Sequence, residues 1–157
     1  MKEEKVISIL REMYREHDTI GFTGFDFVHA FGSGRDALLY AQLFSPKFEE
    51  FLGMVFLKST IETDEDKHRV EEAFSKSGND RAKTERAFNL VEISHLFGKR
   101  IGETDVAQDQ LLAEILCEIW GCRLRCLFPA LSFKVEIVSP EAIDDEVAIE
   151  FFRVDSM

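Results

Sequence analysis

The longest helical pattern of hydrophobic residues runs from Val106 to Phe128. Apolar residues recur there at intervals of three and four, which places them on one broad stripe of a helix. They are Leu111, Leu112, Ile115, Leu116, Ile119, Trp120 and Leu127. Asp105 and Gln108 suit a capping box at the start, and Pro129 ends the run because proline donates no N–H. The pattern predicts a core helix over residues 106–128.

Two later segments alternate between apolar and polar residues, as half-buried strands do. They cover residues 131–138 and 146–153 and predict an antiparallel hairpin. The apolar run FLGMVFL at residues 51–57 predicts a third strand, buried on both faces, with Gly53 at a bulge or a close approach. The sequence therefore predicts a sheet of about three mainly antiparallel strands.

Five further segments favour helices. They are residues 3–17, 34–44, a short turn from Ser45-Pro46, residues 64–76, and residues 80–97 with His95 on the inner face. Residues 22–31 fit either a helix or a strand, and we favour a helix because Thr23 can cap it and Gly32 can end it. A small sheet packed by five or six helices predicts a single α+β domain over residues 1–157.

Charge limits the classes of partner. The chain has 19 basic and 30 acidic residues, a net charge of −11, and residues 106–157 contribute 4 − 10 = −6 of it. Negative charge repels phosphate backbones and anionic lipids, so we expect no nucleic acid and no membrane as partner. The charged N-terminus has no signal-peptide pattern and the three cysteines are odd in number, so we expect a cytoplasmic protein.

Motifs for catalysis, metals and cofactors are not recognisable in the sequence. Cys122 and Cys126, four residues apart, have the spacing of half a zinc site, but no second cysteine or histidine pair completes it. Free cysteines are among the most buried residue types, so we interpret both as small core residues. We therefore expect no catalytic residue, metal or cofactor, and an enzyme is the less favoured class.

The glycine-rich segment FGSGRDALLY opens a helix whose free N–H groups could hold an anion, although a capped turn is the commoner explanation. With the phenylalanines near residues 22–35 it suggests the alternative function, an enzyme or small-ligand-binding protein with a Phe-lined pocket. Its polar ligand-binding groups would be Asp26, His29, Ser33 and Arg35.

The predicted loop between the last two strands contains Asp144, Asp145 and Glu146, which form a candidate acidic surface for a partner. Small size, acidity and the absence of a catalytic motif favour a protein–protein interaction module that binds a basic partner. A narrower hypothesis is a bacterial immunity or inhibitor protein that masks a basic toxin. A plainer one is a homo-oligomer that uses a sheet edge or the flank of the core helix.

Overall fold

The computed structural model describes residues 2–100, 103–138 and 146–154 of the chain. The chain divides into two compact units, Met1–Leu43 and Phe44–Met157. The first is helical, and the second contains both β-sheets. Among the described residues, no helix combines the length and apolar character that a membrane crossing requires.

The N-terminal unit is built from α1 (Lys2–Met13), α2 (Gly24–Phe31) and α3, which runs from Gly34 to Phe44 at the start of the second unit. Residues 22–31 therefore contribute a helix and not a strand. Thr23 caps α2 as predicted: its hydroxyl oxygen accepts from the Asp26 N–H, and the Asp26 carboxylate accepts from the Thr23 N–H. This reciprocal pair satisfies donors that a helix start leaves unpaired.

Aromatic rings form the interior of the N-terminal unit. Tyr14 stacks on Phe31 with ring centroids 4.0 Å apart, and Phe22 meets Phe27 edge to face at 5.3 Å. The side chain of Phe27 is buried. These phenylalanines pack against one another within the unit.

In its described residues, the second unit consists of five strands, three α-helices and two 3₁₀ segments. It contains β1 (Phe48–Phe51), β2 (Met54–Leu57), a 3₁₀ helix (Lys58–Thr60), α4 (Asp64–Lys76), α5 (Arg81–Phe88), β3 (Val91–Glu92), a second 3₁₀ segment (Ser94–Arg100), α6 (Val106–Leu127), β4 (Ser132–Val138) and β5 (Ala148–Val154). This architecture confirms the predicted α+β class.

The strands form two small antiparallel sheets. In the first, β1 and β2 make a hairpin with Phe51 opposite Met54. In the second, the order is β3-β5-β4, so β5 pairs with a strand on each side. Val138 lies opposite Ala148 at one end of the β4–β5 ladder, which confirms the predicted antiparallel pairing of these two segments.

Helix α6 packs on β4 and β5, which confirms the core helix, and its Asp105–Gln108 capping box is also present. Trp120 is 2% exposed and meets the ring of Phe151 edge to face at 6.3 Å. Phe48 packs edge to face on both rings, at 6.2 and 5.3 Å. Aromatic contacts thus join β1, α6 and β5.

The segment 51–57 is not one strand of the larger sheet, as the sequence suggested, but the turn and second strand of a hairpin. Leu52 and Gly53 have φ angles of 54° and 70°. Two successive residues with positive φ are typical of the type I′ turn that reverses a hairpin. The turn is not recognisable from the apolar run FLGMVFL because leucine is unusual at a position with positive φ, as Leu52 has.

Two predicted helices were also wrong in extent. Ser45-Pro46 leads into β1 instead of a helical turn, because Phe48 is drawn into contact with Trp120 and Phe151. The helix predicted over residues 80–97 ends at Phe88, and Val91–Glu92 pairs with β5 as β3. Tertiary pairing overrides local helical periodicity in both places.

Helix α5 connects the two sheets through buried polar side chains. Glu85 is 0% exposed, and its two carboxylate oxygens accept from the Val55 N–H of β2 at 2.8 Å and the Arg153 N–H of β5 at 2.6 Å. Burial raises the pKa of Glu85 against the lowering effect of both backbone donors. One carboxylate thus bridges the hairpin and the three-stranded sheet.

Asn89, one helical turn later, repeats the bridge. Its side-chain oxygen accepts from the Leu57 N–H at 3.2 Å, and its amide nitrogen donates to the carbonyls of Val55 at 2.9 Å and Phe151 at 3.3 Å. Asn89 is also 0% exposed. Buried backbone groups need partners, and here side chains supply them where a direct strand–strand ladder is lacking.

Candidate functional site

A histidine and two glutamates lie together on the second unit. The ligand-type atoms of Glu92, His95 and Glu146 are all within 4.8 Å of one another. His95 Nδ1 is bonded to the Glu92 carboxylate and lies 3.4 Å from Glu146 Oε2. The Ser94 hydroxyl also donates to Glu146 Oε2, at 3.0 Å. We call Glu92, His95 and Glu146 the Glu–His–Glu cluster.

Strand pairing brings this cluster together from segments about fifty residues apart. Glu92 lies opposite Ala148 in the β3–β5 ladder, and the Ile93 N–H donates to the Val147 carbonyl at 2.8 Å. Because the strands are antiparallel, the residues after β3 meet the residues before β5, which are Glu146 and Val147. The pairing of β3 with β5 therefore sets the backbone positions from which the three side chains extend.

The two carboxylates give the cluster a negative field. The hydrogen bond that His95 donates to Glu92, together with the charge of Glu146, raises the pKa of His95. The side chains stay accessible, with 36%, 50% and 37% of their surface exposed for Glu92, His95 and Glu146. The arrangement can hold a proton or another cation between imidazole and carboxylates.

An open hollow of about 300 Å³ adjoins the cluster. Glu92 and His95 line it together with the apolar side chains of Leu90, Val91 and Leu96. A concave apolar surface beside a few polar groups is the usual composition of a small-ligand site. The hollow therefore leaves space beside the imidazole for a water molecule or another ligand.

The sequence indicated only part of the Glu–His–Glu cluster. His95 was expected on the inner face of a helix, but its side chain is half exposed because the helix ends at Phe88. The spacing of Glu92 and His95, three residues apart, was readable as a pair. Their meeting with Glu146 depends on the β3–β5 pairing, which sequence periodicity does not reveal.

The predicted acidic partner surface is described only in part. Asp144 and Asp145 lie outside the described residues. Glu146 is described, and it contacts Ser94 and His95. Glu146 therefore lies beside His95, a neighbour that the loop sequence alone did not predict. A role of this loop in partner binding stays a prediction.

Three of the four predicted ligand-binding residues lie at helix starts, and His29 lies in the last turn of α2. Asp26 bonds to Thr23 at the start of α2, and the Thr23 hydroxyl and N–H lower its pKa. Ser33 bonds to Asp36 at the start of α3, where its oxygen accepts from the Asp36 N–H at 3.1 Å. His29 and Arg35 are exposed. The capping contacts account for Asp26 and Ser33, so ligand binding here stays a prediction.

Large apolar side chains face solvent on the helices of the N-terminal unit. On α2, Phe25 is 88% and Val28 is 64% exposed, and on α3, Leu38 is 76% and Leu39 is 64% exposed. Phe25 and Val28 are three residues apart and lie on one face of α2. Single exposed apolar residues are ordinary, but grouped ones are typical of interaction surfaces. The two pairs lie on separate helices, and we call these four residues together the apolar helix surface.

The prediction that Cys122 and Cys126 are small core residues was wrong. Cys122 and Cys126 are exposed, not buried core residues, and Cys117 is partly buried. The stripe of α6 that packs on the sheet contains Leu116, Trp120 and Leu124, so the two later cysteines fall outside it. None of the three cysteines takes part in a disulfide bond.

Comparisons with protein-family models, curated proteins and solved structures found no match to this chain.

Proposed function

We propose that this protein acts by binding a basic protein, with the apolar helix surface as the main contact. The observation that supports this is the exposure of Phe25, Val28, Leu38 and Leu39. Burying such a side chain stabilises a complex by roughly 1.5–3 kcal/mol. Four of them would supply on the order of 6–12 kcal/mol before the entropic cost of association, which suits a specific complex.

Charge favours a basic partner over a second copy of the chain. The net charge of −11 makes two copies repel, whereas a positively charged protein is attracted over distances of about a Debye length. Complementary charge raises the association rate and selects among partners that offer a similar apolar surface. The partner we propose therefore combines a positive net charge with an apolar contact patch.

A narrower form of the proposal is an immunity or inhibitor protein that masks a basic toxin. It rests on the acidity and small size of the chain. Its compartment would be the cytoplasm, where the three cysteines, none of them in a disulfide bond, would stay reduced. This form expects a neighbouring gene to encode a secreted basic protein, and unrelated metabolic neighbours would contradict it.

The test compares two double variants that change the net charge equally. Leu38→Lys with Leu39→Lys alters the apolar helix surface. Val106→Lys with Leu127→Lys alters exposed apolar residues on α6, which are 61% and 50% exposed. Lysine is a good helix former, so both variants should fold. Each protein is immobilised and exposed to lysate of its source organism, and the retained protein is then purified and its dissociation constant measured.

The proposal expects a stoichiometric basic partner that binds the wild type and the α6 variant equally. The α3 variant should bind it at least about tenfold more weakly, a loss of about 1.4 kcal/mol. Higher salt should slow association. Equal binding by the two double variants would refute the proposal, as would a partner with negative net charge. A dimer in light scattering that only the α3 variant breaks would show that a second copy covers this surface instead.

A thermal melt of the same variants tests the exposure on which the proposal depends. The α3 variant should unfold at the temperature of the wild type, because solvent-facing changes alter stability by less than about 0.5 kcal/mol. A marked loss of stability would show that the chain itself covers Leu38 and Leu39, which would overturn the proposal.

A further inference from the structure

We infer that Glu92, His95 and Glu146 bind a divalent first-row transition-metal ion. One imidazole nitrogen and two carboxylates converge on one place, with all three ligand atoms within 4.8 Å of one another. Donor atoms around a tetrahedral zinc ion lie about 3.3 Å apart, as follows from bond lengths near 2.0–2.2 Å. His95 Nδ1 and Glu146 Oε2, at 3.4 Å, already have this spacing.

The donor types indicate the class of ion. Imidazole favours zinc, iron, copper and nickel, whereas magnesium and calcium prefer sites made only of oxygen. Two carboxylates would neutralise the charge of a divalent ion. Nδ1 of His95 is the nitrogen that faces both carboxylates, so a metal ion at this point would replace the proton that Nδ1 shares with them.

The surroundings suit an ion that keeps an exchangeable position. Glu92 and His95 line the open hollow beside Leu90 and Leu96, so solvent reaches the cluster from that side. Sites with three protein ligands usually complete their coordination with water or a bound molecule. Ser94, whose hydroxyl donates to Glu146 Oε2 at 3.0 Å, would orient that carboxylate from outside the first coordination sphere.

A second histidine with two glutamates provides a matched control. On α4, His68 Nδ1 lies 3.5 Å from Glu71, and its other ring nitrogen lies 3.6 Å from Glu72. The carboxylates therefore face opposite sides of the imidazole ring and do not share one nitrogen. His68 is 69% exposed, so it offers a freely available imidazole without the convergent geometry of the Glu–His–Glu cluster.

The experiment uses the full chain without a histidine tag, stripped of metal by a chelator that is then removed. Isothermal titration with Zn²⁺ measures the affinity and the number of sites for the wild type, His95→Ala, Glu146→Gln and His68→Ala. Co²⁺ is the spectroscopic probe, because its visible absorption reports coordination by nitrogen and oxygen. Mg²⁺ is titrated in parallel, and thermal melts confirm that each variant folds.

We expect one Zn²⁺ per chain, weakened at least about tenfold by His95→Ala and by Glu146→Gln. His68→Ala should bind like the wild type, and the Co²⁺ absorption band should be lost in His95→Ala and kept in His68→Ala. Zn²⁺ binding that is absent in the wild type, or unchanged in both cluster variants, would overturn the inference. Mg²⁺ binding as tight as Zn²⁺, and retained in His95→Ala, would show only a diffuse acidic surface and would also overturn it. The apolar helix surface is not altered by these variants, so the result is independent of the proposed function.

Discussion

Removal of the Glu85 carboxylate should destabilise the second unit more than loss of any surface acid. Glu85→Ala leaves two buried donors, the N–H groups of Val55 and Arg153, without the partners they now have at 2.8 and 2.6 Å. An orphaned buried donor costs roughly 1–3 kcal/mol, so the pair costs roughly 2–6 kcal/mol. Relief from burying the charge offsets part of this, and we expect a net loss of about 2–5 kcal/mol.

Glu85→Gln changes the hydrogen bonding of the side chain at position 85 but keeps its size. The carboxamide keeps one oxygen acceptor but turns an NH₂ group towards the other backbone N–H, so one bond is lost and two donors face each other. We expect a loss of about 1–3 kcal/mol. Urea unfolding at neutral pH measures both values, and Glu71→Gln on exposed α4 is the control, with a change below about 0.5 kcal/mol. A Glu85→Ala protein as stable as this control would refute the bridging role.

The pH dependence of the same variants tests the burial of the charge. Because burial raises the pKa of Glu85 above its ordinary value of 4.5, the folded state binds the proton more tightly than the unfolded state. The Glu85 contribution to stability is therefore fully present below pH 4.5 and declines as the pH rises through the folded pKa. The wild type should exceed Glu85→Gln by more near pH 4.5 than at neutral pH. A difference that grows with pH would contradict the stated cause.

Three further substitutions test the surrounding framework by urea unfolding. Asn89→Ala removes three buried side-chain hydrogen bonds and should cost about 2–5 kcal/mol, and a cost below 1 kcal/mol would show that the bridge is dispensable. Gly53→Ala forces a side chain onto a φ of 70° and should cost about 1–2 kcal/mol, whereas no cost would mean that the turn adapts. Thr63→Ala removes the cap of α4 and should cost about 0.5–2 kcal/mol, and restoration by Thr63→Ser would confirm that the hydroxyl is responsible.

Periodicity predicted the elements whose burial pattern is continuous. The core helix and the β4–β5 pair were predicted within a few residues because each repeats its apolar positions along its length, and α4 was predicted from a thin apolar stripe around Val70. Caps were equally readable, since Thr23 and Asp105 each precede a partner three residues on. Local signals of this kind need no knowledge of the rest of the chain.

Elements that depend on distant partners were not predicted. The turn at Leu52 and Gly53 lies within an apolar run, and β3 has only two residues, which gain their pairing from β5. Glu85 reads as an ordinary charged position of a polar helix, and only the approach of two strands makes it a buried bridge. The Glu–His–Glu cluster was missed for the same reason, because β3–β5 pairing brings Glu146 to His95.

The measurement that tests the proposed function most directly is the affinity of the purified partner for the two lysine double variants. Both carry the same change in net charge, so they differ only in which exposed apolar surface is altered. The apolar helix surface predicts that Leu38→Lys with Leu39→Lys weakens binding at least about tenfold, while Val106→Lys with Leu127→Lys binds like the wild type. Equal affinities for the two variants would contradict it.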